Sequence, residues 1–146
     1  MLGDDFMVLI TKSEISLFKN KTDDYITNYF IGYIDAINND NRNILYISYN
    51  FSKKVLLSKF NSFDSDNIVI VDNLTLTCDN LQDYIEKYKP RYIFIDYLNL
   101  NRKNRYWYLN DIKFKDLKEI IEKFEQESSV IFIVAINDKG DVKYDK

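Results

Sequence analysis

The sequence contains no histidine and a single cysteine, Cys78, among its 146 residues. A lone cysteine excludes a disulfide within the chain, and the two shortages together exclude the common ligand sets of zinc sites. Without histidine, the side chain that most often serves as a general base is also missing. Any chemistry is therefore expected to use carboxylates, lysine, hydroxyl groups or a bound phosphate and magnesium.

Long apolar runs and an excess of basic charge are absent as well. No apolar run reaches the roughly 18–20 residues of a membrane span, and acids precede the short apolar stretch at the N-terminus, unlike a secretory signal. The chain has 20 basic and 23 acidic residues, so its net charge gives no sign of nucleic-acid binding. With 46% hydrophobic and 29% charged residues, we expect one soluble, cytoplasmic domain over residues 1–146.

Short apolar runs alternate with stretches of helical periodicity. The runs predict buried strands at 6–11, 44–48, 68–71, 92–96 and 130–136. The periodic stretches predict helices at 22–37, 52–60, 79–88 and 111–126, with caps at Thr22 or Asp23, at Ser52 and at Asp111, and a stop at Pro90. This alternation favours an α/β fold with a mostly parallel sheet of about five strands and helices on both faces.

Polar positions follow four of the predicted strands. They are Asn50, Asp96, Asn137 and the loop after Thr11. Ligands of open α/β sheets bind beyond the carboxyl ends of the parallel strands. We therefore expect these four positions to converge on one edge of the sheet, where a functional site would lie.

The stretch "YIFIDYLNL" (92–100) combines an apolar strand with Asp-Tyr-Leu, an amide and a final Leu. It resembles the Walker B strand of the DnaB-type replicative helicases, which are RecA-like P-loop ATPases. Further stretches resemble parts of that domain in the same order, at 2–11, 20–34, 44–60, 73–100 and 130–138. The resemblance implies a RecA-like three-layer fold in which Asp96 orients magnesium and water at a bound ATP.

The resemblance also assigns a phosphate-binding role to Lys21 and a magnesium-binding hydroxyl to Thr22. A P-loop works because glycine lets backbone N–H groups wrap a phosphate at a helix N-terminus. Residues 12–22 contain no glycine, and Asn20 stands in the place of the glycine before the lysine. We expect this segment to be a loop longer than the family's, with bulky side chains that crowd the phosphate position.

Two further positions depart from the family pattern. Asn50 replaces the glutamate that activates the attacking water, and asparagine does not accept a proton. Ala135 replaces the sensor glutamine, and its methyl group does not reach a γ-phosphate. Residues 139–146 are also too few to supply the second DNA-binding loop and the arginine finger, so the resemblance implies a truncated and degenerate domain.

A basic and aromatic stretch, "NRKNRYWYLND" (101–111), follows the Walker B-like strand. Its basic side chains suit phosphates and its aromatic rings suit stacking on bases. The same residue types also favour a protein interface or packing on the domain itself. The residues concerned are Arg102, Lys103, Arg105, Tyr106, Trp107 and Tyr108.

Three interpretations remain. The favoured one is a non-catalytic RecA-like domain without a cofactor, which binds a protein partner, such as a replicative helicase, or self-associates in DNA replication or recombination. The alternative is a weakly active ATPase of the DNA helicase type, which uses Lys21, Thr22 and Asp96 with ATP and magnesium. The third is a single-stranded nucleic-acid-binding module that uses residues 101–108. None of them involves a membrane.

Overall fold

The computed structural model describes residues 3–11, 15–37, 43–60, 67–103, 106–109 and 112–138. For residues 102, 103 and 106–108 it describes the backbone alone. The described residues form eight strands and four helices. In chain order they are β1 (Asp4–Ile10), β2 (Ile15–Lys21), α1 (Asp23–Ile37), β3 (Ile44–Ser48), α2 (Lys53–Lys59), β4 (Ile68–Val71), α3 (Cys78–Tyr88), β5 (Tyr92–Lys103), β6 (Tyr106–Leu109), β7 (Ile112–Lys113), α4 (Phe114–Ser128) and β8 (Ile131–Asp138). In this described part, no helix is long and apolar enough to cross a membrane.

Six strands form the main sheet, in the order β2-β1-β8-β5-β3-β4. The four strands β8, β5, β3 and β4 are parallel to their neighbours, whereas β1 is antiparallel to both β8 and β2. Beyond this path, β6 pairs with the end of β5 and β7 pairs with β6. The predicted α/β class is confirmed, and each of the five predicted strands is present.

The sheet has one strand more than predicted because the segment after β1 turns back on it. Residues 15–21, which we expected to form a loop, are the edge strand β2, with Leu17 opposite Met7 and Ile15 opposite Leu9. Only β2, and not β1, leads into α1. The prediction of a long loop is therefore wrong for residues 15–21, and residues 12–14 lie outside the described part.

Side chains that alternate along the central strands build two cores, one on each face of the sheet. On one face, Leu45, Ile47, Ile93, Ile95, Val134 and Ile136 pack with Leu81 and Ile85 of α3 and with Leu117 and Phe124 of α4. On the other face, Ile44, Tyr46, Phe94, Ile133 and Ala135 pack with Ile26, Phe30 and Ile34 of α1 and with Leu56 of α2. The helices thus cover both faces, as the sequence predicted.

The helix ends follow local side-chain chemistry. Ser52 caps α2 as predicted, since its side chain accepts a hydrogen bond from the Val55 backbone N–H at 3.2 Å. Helix α3 ends at Lys89, which has a left-handed φ of 48° and precedes Pro90. Helix α4 begins at Phe114, three residues later than predicted, without a side-chain cap, and Asp111 lies outside the described residues.

Thr77 forms a capping box at the start of α3. Its hydroxyl accepts from the Asn80 N–H at 3.2 Å, and the Asn80 side chain accepts from the Thr77 N–H at 2.8 Å. We expect Thr77→Ala to lower the free energy of unfolding by about 1 kcal/mol, because one N–H at the helix start loses its partner. Thr75→Ala, at an exposed position just outside the box, is the control in urea unfolding. Equal losses in the two variants would contradict the assigned cap.

Candidate functional site

The carboxyl ends of β3 and β8 meet the first turns of α1 at one edge of the sheet. Strand β5, predicted to end at Asp96, passes through this edge and continues to Lys103, so Asp96 lies where its neighbour β3 ends. Asn50, Asp96 and Asn137 lie at this edge, as predicted for parallel strands. Thr11 does not, because β1 runs in the opposite direction. The Thr11 hydroxyl accepts from the Phe132 N–H at 2.7 Å, at the amino end of β8. The predicted convergence is therefore correct for three positions and wrong for the loop after Thr11.

Asp96 is fully buried at the centre of this edge. Its Oδ2 accepts hydrogen bonds from the Thr27 hydroxyl at 2.6 Å and from the Tyr46 hydroxyl at 2.5 Å. Its other oxygen, Oδ1, is buried and has no hydrogen-bond partner among the described residues. The carboxylate of Asp96 thus binds α1 through Thr27 and β3 through Tyr46, underneath the helix and away from solvent.

Burial controls the ionisation of this carboxyl group. The loss of solvation raises the pKa of Asp96 to about 6, against the opposing effect of the two hydrogen bonds, and the nearby charge of Asp23 raises it further. Burial and the negative charge of Asp96 also raise the pKa of Tyr46 well above its ordinary value. Tyr46 therefore stays protonated and continues to donate to Asp96.

Asn50 extends the hydrogen bonds around Asp96 towards the start of α1. Its Nδ2 donates to the Thr27 hydroxyl at 3.0 Å and to the Asp23 backbone carbonyl at 3.1 Å. Thr27 thus accepts from Asn50 while it donates to Asp96. The amide that replaces a catalytic glutamate in the resemblance is used here to hold α1 against the strand ends.

Tyr97 makes a second connection to the start of α1. Its hydroxyl donates to Asp23 Oδ1 at 3.0 Å. Partial burial, this hydrogen bond and the charge of Asp23 raise the pKa of Tyr97 to about 12. The peptide bond between Asp96 and Tyr97 is cis. Together with Asn50 and Thr27, Tyr97 fixes the first two turns of α1 over the ends of β3 and β5.

Lys21 and Thr22 lie directly before α1, at the end of β2. The Lys21 Nζ is 4.5 Å from the centroid of the Tyr25 ring, and Thr22 is exposed. The neighbouring Asn20 has a φ of 55°, and its side chain accepts from the Gly3 N–H at 2.7 Å. A Cβ at Gly3 would overlap the backbone of Lys21, so the two chain segments approach closely here.

These residues do not fit a magnesium-bound nucleotide in the present arrangement. The backbone of β2 pairs with β1, so it does not wrap the helix start as a phosphate cradle requires. Asp23 and Asp24 place two carboxylates in the first turn of α1, where a phosphate would bind. Among the described residues, no group of three or more histidine, cysteine or acidic side chains forms a metal site.

Ala135 and Asn137 lie on the neighbouring strand β8. Ala135 is fully buried opposite Val8, within the core under α1. Asn137 is 1% exposed, and its Nδ2 donates to Asp4 Oδ2 at 3.0 Å. Both residues therefore connect β8 to the antiparallel strand β1.

The sequence interpretation missed Thr27 and Tyr46, the two donors to Asp96. Thr27 follows Asp23 by one helical turn and lies on the face that carries Phe30 and Ile34, which made it an unexpected polar residue on an apolar stripe. Its place on this apolar face is the one feature of the sequence that could have identified Thr27. Tyr46 lies in a continuous apolar run, where its hydroxyl gives no sign of its partner.

The basic and aromatic stretch after Asp96 forms a β-hairpin in its described part. Arg102 pairs with Trp107, Lys103 with Tyr106 and Asn101 with Tyr108, between β5 and β6. Arg105 lies outside the described residues, as do the side chains of the other basic and aromatic members. The hairpin joins the main sheet through β5.

Comparisons with protein-family models, with curated proteins and with solved structures gave no match to this chain. The resemblance to DnaB-type helicases therefore stays a prediction from the sequence.

The raised pKa of Asp96 predicts an unusual pH dependence of stability. Between the ordinary value of 3.8 and about 6, the folded state retains a proton that the unfolded state has released. The contribution of Asp96 to the free energy of unfolding therefore falls as the pH rises through this range, by about 3 kcal/mol, and stays lower above it. The full contribution of the neutral carboxyl is present below about pH 4.

Asp96→Asn is the matched control, because an amide of nearly the same shape does not titrate. We expect the stability difference, wild type minus variant, to become less favourable to the wild type between pH 4 and pH 7. Urea unfolding at several pH values measures it. Parallel curves for the two proteins would show that the burial of Asp96 does not affect its titration.

Proposed function

We propose that this chain is a non-catalytic RecA-like domain, similar to the ATPase domain of DnaB-type helicases, that binds a protein partner or itself in DNA replication or recombination. The closed cluster around Asp96 carries this proposal. An ATPase of the family needs this carboxylate next to magnesium and water, whereas here it is fully buried and bound to Thr27 and Tyr46. The residues that would do chemistry are used to hold the fold together.

Helices on both faces of a largely parallel sheet support the RecA-like part of the proposal. The antiparallel direction of β1 and the strand β2 depart from the pattern that the resemblance implies. Both departures lie at the phosphate-binding position. They therefore support the loss of nucleotide chemistry within a fold that is otherwise retained.

The binding part of the proposal is supported by apolar side chains at the sheet edge. Ile15 and Leu17 of β2 are 58% and 64% exposed, which is high for large aliphatic side chains. Adjacent exposed apolar residues mark interaction surfaces more often than single ones do. A chain that exposes Ile15 and Leu17 while its Asp96 cluster is closed is suited to binding another protein.

A thermal-shift titration with magnesium and ATP tests the non-catalytic part. We expect no change in melting temperature, because Asp96 is buried and residues 15–21 form a strand, not a loop around the start of α1. A site with a Kd of about 0.1 mM would stabilise the fold by about 2 kcal/mol at about 5 mM ATP, which corresponds to several degrees. A shift of that size in the wild type that is lost in Lys21→Ala would contradict the proposal and favour the ATPase.

A second candidate function, single-stranded nucleic-acid binding, is favoured by the β5–β6 hairpin. In its register Arg102 lies opposite Trp107 and Lys103 opposite Tyr106, so each basic residue of β5 pairs with an aromatic residue of β6. Basic groups neutralise phosphates and aromatic rings stack on bases, which together suffice for binding without sequence preference.

Trp107 is the single tryptophan of the chain, so its fluorescence reports on this hairpin alone. The second candidate predicts quenching when an oligothymidine is added, with an affinity that falls as salt rises. Arg102→Ala should weaken the binding, whereas Lys53→Ala should leave it unchanged, because α2 packs on the opposite face of the sheet from Leu100 and Leu109 of the hairpin. Fluorescence that does not respond to the oligonucleotide would dismiss this candidate and leave the protein-binding proposal.

A further inference from the structure

At the β1–β2 end of the sheet, none of the four described helices covers the face on which α3 and α4 pack. Met7 and Leu9 of β1 pair with Leu17 and Ile15 of β2, so these four side chains lie on the same face, and we call them the apolar shelf. Met7 and Leu9 pack at the margin of the core that α3 and α4 cover. Ile15 and Leu17 lie beyond it and are the most exposed large apolar side chains of the described part of the chain.

A groove of about 320 Å³ lies between α4 and the Leu9 end of the shelf. Its helix side is a single stripe with the spacing i, i+3, i+4, i+7, and its sheet side is formed by the ends of β1 and β8. The stripe consists of Lys118, Ile121, Glu122 and Glu125, and the sheet side of Leu9, Ile10, Thr11 and Phe132. The groove thus has an apolar floor and a helix wall with two carboxylates and one amine.

The strand pair β1–β2, which carries the shelf over residues 15–17 of β2, matches one α-helix in width and length. Two strands are about 10 Å wide, which is the diameter of a helix with its side chains. The seven residues of β2 extend over about 23 Å, the length of a helix of about 15 residues. On the same face, α3 and α4 already cover the other strands in this way.

The charges beside the groove indicate which kind of helix would fit. Glu122 and Glu125 outnumber Lys118 along the α4 wall. A helix in the space would place one polar edge next to this wall, and basic side chains there would meet the carboxylates. Acidic side chains at the same edge would be repelled.

We propose that the apolar shelf is the docking site for an amphipathic helix of a protein partner, with Lys or Arg along the edge that faces Glu122 and Glu125. This assignment rests on the proposed function, according to which the chain binds a protein partner. A second copy of this chain fits less well. Its helix α2 combines lysines with the exposed Val55 and Leu57, but seven residues reach only about 10 Å.

Two labelled synthetic peptides of 15 residues test this surface. Both carry leucines at i, i+3, i+4 and i+7, and one polar edge carries lysines in the first peptide and glutamates in the second. By fluorescence anisotropy, we expect the lysine peptide to bind the wild type at least tenfold more tightly. Leu17→Thr, which suits an exposed strand, should weaken this binding at least tenfold. Leu57→Ala, at an exposed position on α2, should not change it.

Glu122→Lys combined with Glu125→Lys should reverse the preference and favour the glutamate peptide. Thermal unfolding confirms that each variant is folded, as expected for the exposed Glu122 and the partly exposed Glu125. Equal binding of the two peptides, or binding that Leu17→Thr leaves unchanged, would overturn the assignment. So would a wild-type dimer in sedimentation velocity that Leu17→Thr converts to a monomer, because the shelf would then be an interface between copies.

Affinity capture from the source cell separates this inference from the proposed function. A protein that is retained by both the wild type and Leu17→Thr would preserve the proposed function and remove the shelf from it. Peptide binding at the shelf without any captured protein or self-association would preserve the shelf and contradict the proposed function.

Discussion

The burial of one carboxylate underneath α1 organises the carboxyl edge of the sheet. In the folded chain the hydroxyl groups of Thr27 and Tyr46, instead of water, donate hydrogen bonds to the buried carboxylate of Asp96. Removal of either hydroxyl would leave the buried negative charge with one hydrogen bond fewer. Because the two donors come from α1 and β3, the carboxylate fixes the helix and two strands relative to one another. Asn50 and Tyr97 then hold the first turn of the same helix.

This arrangement uses residues of catalytic type for structural purposes. The carboxylate of Asp96, the amide of Asn50 and the hydroxyl of Thr27 are groups of the kind that coordinate ions in other proteins. Here Thr27 joins Asn50 to Asp96 Oδ2, while Asp96 Oδ1 is buried without a described partner. Strand β2 exposes the apolar side chains of Ile15 and Leu17 at the sheet edge, where the resemblance implies a phosphate loop.

The local sequence pattern predicted the central strands and helices correctly. It did not predict the residues that pair with them or bond to them. The strands at 44–48 and 68–71 and the helix that ends at Ile37 were predicted within a residue, because burial on both faces gives continuous apolar runs. β2 was missed because an edge strand with lysines and exposed apolar residues lacks that signal. The direction of β1 depends on the turn after Thr11, and the donors to Asp96 are 69 and 50 residues away from it in the chain, beyond the reach of any local pattern.

The irregular end of β2 hinders the pairing of a further strand with this edge of the sheet. The register between β1 and β2 shifts next to Asp5, whose carboxylate accepts from the N–H of the left-handed Asn20. Such a bulge bends an edge strand and interrupts the row of peptide groups that another strand would need. Lys19 adds a charge just before the bend. The exposed edge is thereby protected against stacking into aggregates, although its side chains remain apolar.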